Sequence, residues 1–195
     1  MPHPIRDYRR RRRVDVRADY LLQDVALGAT QPRSTPMGSQ LTVTGGTLWL
    51  FAVGLRAGRR ISTIEFVNGT TALAHGSGNN SAWWFALYNA SRILLGQTAN
   101  QGQAAWAANT VKALALTTPV VIPGDGVYYA GLMVYPGTGG SPAVPTPLGG
   151  TVGLIAGGTA PILAGTSTTG LTGASAPNPA AALTAVNTLL WCRLT

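Results

Sequence analysis

The chain has 195 residues and a mass of 20.1 kDa, enough for one all-β domain with an appendage. Hydrophobic residues make up 46% and charged residues only 10%, against about 25% charged in an average domain, so either small polar residues coat the surface or copies or partners cover part of it. One cysteine, Cys192, excludes an internal disulfide framework, and the longest strongly apolar run, Leu48 to Val53, falls far short of the roughly 20 residues of a membrane span.

The net charge of +8 is unevenly placed. Seven of the 14 basic residues lie in the first 17 positions, five of them consecutive: Arg9, Arg10, Arg11, Arg12 and Arg13. Residues 1–24 read as a basic arm that cannot bury a core of its own, with Tyr20, Leu21 and Leu22 as apolar anchors. The charged start is not followed by an apolar stretch with a cleavage site, so no secretory signal is expected. The arginine run fits an acidic protein docking site, a nucleic-acid contact or a solubilising tail. Bases have only Tyr8 and Tyr20 to stack on, which favours the protein partner over nucleic acid. Pro32, Pro36, Gly28 and Gly38 mark a linker over residues 25–40, giving an arm and linker at 1–40 and a folded domain at 41–195.

From Leu41 onward, short runs of β-branched and aromatic residues alternate with turn residues, the pattern of an antiparallel β-sandwich. Strands are predicted at Leu41–Thr44, Leu48–Val53, Ser62–Val67, Trp83–Tyr88, Arg92–Gln97, Val111–Leu116 and Val127–Tyr135. Asn68-Gly69 predicts a tight turn with positive φ, Pro123-Gly124-Asp125-Gly126 a chain reversal, and Asn89-Ala90-Ser91 a hairpin turn. Gln103–Ala108 is the best short helical or looped stretch. Residues 137–179, rich in Gly, Pro, Thr, Ser and Ala, read as a long loop draped over the domain or a neighbour and held at the islands Val152–Ala156 and Ile162–Ala164. A final strand is expected within Leu183–Leu194.

Chemistry is hard to place on this sequence. Beyond residue 24 the only acids are Glu65 and Asp125 and the only histidine is His75; Glu65, alternating with Ile64 and Phe66, is expected to face solvent. No G-x-S-x-G elbow, zinc spacing or phosphate loop is present, and Gly76-Ser77-Gly78-Asn79-Asn80-Ser81 reads as an exposed loop tip. Catalytic, cofactor and metal residues are therefore expected to be none. The strand Trp83-Trp84-Phe85 with Tyr88 admits two roles. Trp83 and Phe85 point to one face, as core residues would, and Trp84 to the other, where a subunit contact or a glycan platform would sit.

The segments Gly58–Ile64, Ser81–Tyr88, Ala105–Thr110 and Gly126–Val134 together resemble a domain common in virion proteins of tailed phages that infect actinobacteria. The resemblance covers Leu41 to Tyr135, about half of the chain, and rests on framework residues. It implies a jelly-roll-like fold that trimerises, in a minor tail protein or a capsid appendage on the virion surface. With the arm it yields one expectation: a non-enzymatic homotrimeric decoration, made in the host cytoplasm, that contacts the major capsid or tail protein and no membrane. The alternative is a tail component, or a host-glycan binding module at Trp83 and Trp84.

Overall fold

A computed structural model describes residues 39–78, 80–151 and 162–195. The arm, Arg9–Arg13 and Tyr20–Leu22 included, and the island at 152–156 lie outside the described residues.

The described chain is all-β. Twelve strands occur: β1 (Ser39–Gln40), β2 (Leu48–Leu55), β3 (Arg60–Val67), β4 (Ala82–Asn89), β5 (Leu94–Gln97), β6 (Val111–Val121), β7 (Gly126–Tyr135), β8 (Leu148–Thr151), β9 (Ala164–Thr166), β10 (Thr184–Ala185), β11 (Thr188–Leu190) and β12 (Cys192–Leu194). They form antiparallel sheets ordered β10-β9-β2-β7-β4-β5, β12-β3-β6 and β1-β8-β11. Six central strands pair as nested partners, β2 with β7, β3 with β6 and β4 with β5. This is a long hairpin rolled up on itself. Because β7 also pairs with β4, the first sheet runs β2-β7-β4-β5 and the second begins β3-β6, which is the winding of a jelly roll with its innermost hairpin missing.

The runs LWLFAVGL and AWWFALYN are apolar at nearly every position because the sheet they form is covered on both sides. On the inner side Trp49, Phe51, Trp83, Phe85 and Leu132 meet Ile61, Ile64 and Phe66 of the opposing sheet in one core. Its aromatic centre is edge-to-face, with Phe66 4.8 Å from Phe85 and 6.1 Å from Phe51 between ring centroids. On the outer side Leu48, Leu50, Trp84, Tyr88, Tyr129 and Met133 form a second cluster. Its cover is the chain's own segment from Thr168 to Leu183, which lays Leu171, Ala176, Ala180 and Leu183 on it.

Several expectations are corrected. The strand at Leu41–Thr44 does not form; the pairing lies just before it, in β1, and the chain then turns at Gly46 with φ +71°. Asn68-Gly69 is not a positive-φ turn: Gly69 keeps an ordinary φ, and Asn68 is fully buried and bridges Pro147. Of the two readings of Gln103–Ala108, the looped one holds: it is irregular chain between Gly102 and Asn109, both left-handed. The final stretch is three short strands. β10, β11 and β12 each belong to a different sheet, so Leu183–Leu194 stitches all three together. Residues 137–179 are not loop throughout, since they contain β8 and β9, but from Thr168 the chain does drape over the domain, as the strap that continues to Leu183.

Candidate functional surfaces

Trp83 and Trp84, the residues named for glycan or subunit contact, are both 0% exposed. Trp83 stacks on Trp106 at 5.6 Å and 12°, donates its indole N–H to the Ala104 carbonyl at 3.1 Å, and carries the Lys112 ammonium 5.2 Å above its ring. It is a core residue, as alternation predicts. Trp84 does point to the other face, but that face is sealed by the strap, and its indole donates to the Gly173 carbonyl at 3.2 Å. Neither ring has an open face for a sugar or for another subunit.

Strap residues are held by polar contacts as well as by packing. Tyr88 donates its hydroxyl to the Pro177 carbonyl, and burial raises its phenol well above the ordinary range. The Gln97 carboxamide bridges two strap positions, donating to the Ala174 carbonyl and accepting from the Ala176 amide at 2.7 Å. Leu94 donates its amide to Asn178 Oδ1 at 3.1 Å, and the Ala180 amide donates to the Arg92 carbonyl at 3.0 Å.

Glu65 is buried, which corrects its expected solvent exposure. Pairing of β12 with β3 sets Arg193 directly opposite, and the guanidinium donates to the two carboxylate oxygens at 2.7 and 3.0 Å. The carboxylate is neutralised within the sheet, and among the described residues no second carboxylate is paired with it. His75 Nε2 lies 3.1 Å from the Ala104 carbonyl, and among the described residues no three His, Cys, Asp or Glu side chains gather as a metal site would require.

The jelly-roll winding assembles two distinct ends. At one, the β3–β4 connection meets the chain entering from the arm. Gln40 Oε1 there accepts from the Thr70 amide and from the hydroxyls of Thr70 and Thr146, at 3.2, 2.8 and 2.8 Å. Asn68 sits behind it, donating to the Thr71 and Ala107 carbonyls and accepting from the Thr146 amide. At the other end lie the β2–β3, β4–β5 and β6–β7 turns, as the pairs Leu55 with Gly126, Asn89 with Tyr128, and Arg60 with Val121 require. These turns carry Arg56, Arg59, Arg60 and Arg92, four of the six cations of the described chain, against one carboxylate, Asp125. These turns are far apart in sequence, and only the winding brings their arginines together.

The chain matches no family model and no curated protein.

Proposed function

We propose that this chain is a non-enzymatic structural protein of a tailed-bacteriophage virion, a homotrimeric surface decoration anchored to the capsid through its N-terminal arm. One observation carries the proposal: a jelly roll whose central sheet is sealed on both faces by its own chain is a self-contained block, and the chain enters it at one end, where Gln40 pins the root of the arm. A block of that kind can join a preformed lattice through the arm without remodelling its core. The Arg9–Arg13 run suits an arm that docks on an acidic surface, and the resemblance of the four segments to virion domains is the reason for choosing a virion as that partner.

Labelling the protein on purified particles and imaging them by electron microscopy is the test. Label over the capsid shell is the expected outcome. Label confined to the tail would move the protein to the tail, and particles without label would overturn the virion assignment.

A further inference from the structure

The end of the sandwich opposite Gln40 has features of its own. From Arg60 to Val67, β3 separates it from the arm root by about 23 Å at about 3.3 Å per residue. The Arg56–Arg59 turn is closed by Arg59 N–H to the Arg56 carbonyl at 3.3 Å, with Gly58 at φ +76°, and is locked to the β6–β7 connection by two backbone hydrogen bonds of 2.8 Å between Gly58 or Arg59 and Ile122. Asp125 adds a third lock, its Oδ1 accepting the Ala57 amide at 2.7 Å. Arg59 is committed to the fold, donating to the Leu194 carbonyl at 2.6 Å. Arg56 and Arg60 are exposed and flank this rigid turn. Beside it a cleft of about 230 Å3 is lined by Asn89, Ser91, Pro123, Asp125, Val127 and Tyr128 among others.

We propose that this tip is a docking surface for an anionic polysaccharide, with Arg56 and Arg60 as the charge contacts and the neighbouring cleft as the seat of a sugar unit. Two guanidinia on a preorganised turn give charge-assisted hydrogen bonds to carboxylate, sulfate or phosphate groups at little ordering cost. The amide of Asn89 and the hydroxyl of Ser91 suit sugar hydroxyls, and Asp125, the one opposing charge there among the described residues, has one oxygen already taken by the Ala57 amide. Nucleic acid fits less well, because the cleft's aromatic ring, Tyr128, is buried with its hydroxyl donated to the Gly124 carbonyl and offers no face for a base. That the tip faces outward rests on the virion reading; its chemistry does not.

The arm's arginines would bind any polyanion, so the test uses the full chain with Arg9, Arg10, Arg11, Arg12 and Arg13 each replaced by Gln. Heparin is the polysaccharide probe, neutral dextran its control and duplex DNA the rival. Heparin binding should survive the arm change, and adding Arg56→Ala with Arg60→Ala should weaken it by about tenfold or more, as expected for loss of two charge-assisted contacts. Lysine at both positions should restore much of it, and circular dichroism should show all variants folded. No heparin binding by the arm-neutralised chain, or binding indifferent to the two alanines, overturns the proposal. Duplex DNA or dextran bound as tightly as heparin overturns the choice of partner. Heparin binding at the tip in a protein missing from particles would defeat the virion reading and leave the tip standing.

Discussion

Arg193 on β12 and Glu65 on β3 face each other across adjacent strands and close a bidentate ion pair whose carboxylate is almost fully enclosed. A buried charge deprived of its partner is far costlier than a pair absent altogether. Arg193→Met should therefore destabilise the fold by about 3–5 kcal/mol. The double variant Glu65→Val with Arg193→Met should regain most of that loss, since it strands no charge. Urea unfolding of the two variants checks this, and a double variant no better than the single would remove the pair from the account of stability.

Trp83 and Trp84 occupy opposite faces of one strand, and both faces are closed. Replacing either with alanine should cost about 3–5 kcal/mol and lower the melting temperature sharply. Trp84→Ala also strips the Gly173 carbonyl of its donor. A melting temperature unchanged by Trp84→Ala would mean that the strap does not cover this face in solution.

The strands were readable because β-branched and aromatic runs sit between turn residues, and the hairpin at Asn89-Ala90-Ser91 forms with Ile93 N–H on Asn89 Oδ1. The cover of the second face was not readable. Trp84 and Gly173 are 89 residues apart, and the strap's Ala, Gly, Thr and Pro composition is that of a loop. Local pattern assigned Trp84 to an outer face, and only long-range packing shows that the face is filled from within the chain. Asn68 misled for a related reason. Before glycine it signals a turn, yet here a Cβ on Gly69 would lie 2.5 Å from the Thr146 carbonyl oxygen, so the glycine serves close backbone approach and the asparagine satisfies a buried junction. Glu65 alternates correctly, but its partner lies 128 residues away.

Alkaline pH should weaken the protein through its buried phenols. Burial raises Tyr88 and Tyr129 above their ordinary value of 10, Arg92 partly offsetting the effect at Tyr129. A folded-state pKa above the unfolded one means that the folded form holds the proton more tightly. The contribution is whole below about pH 10 and is lost as pH rises from there toward the folded values. Urea midpoints should hold between pH 8 and 9.5 and fall above pH 10, and Tyr88→Phe should flatten that fall. A midpoint that fell equally steeply in the Phe variant would clear Tyr88 of the effect.

The strap's hold on the sheet passes through Gln97, whose carboxamide serves Ala174 and Ala176 at once from the edge strand β5. The strap carries no charge between Thr168 and Leu183 and pairs with the sheet only at its margins, so its local stability should lie below that of β2, β4 and β7. Gln97→Ala removes both polar contacts while leaving the apolar packing of Leu171, Ala176 and Ala180 in place. Losing two partly exposed hydrogen bonds should cost about 1–3 kcal/mol, and the loss should appear locally. Hydrogen exchange should quicken at Ala176, whose amide loses its acceptor, and at the neighbouring Ala180 amide on the Arg92 carbonyl. Amides of the β4–β7 ladder, deep in the sheet, should slow or quicken only as far as global stability changes. Uniform acceleration across strap and ladder alike would mean that the strap unfolds only with the whole domain, and that Gln97 belongs to the global fold and not to a local latch.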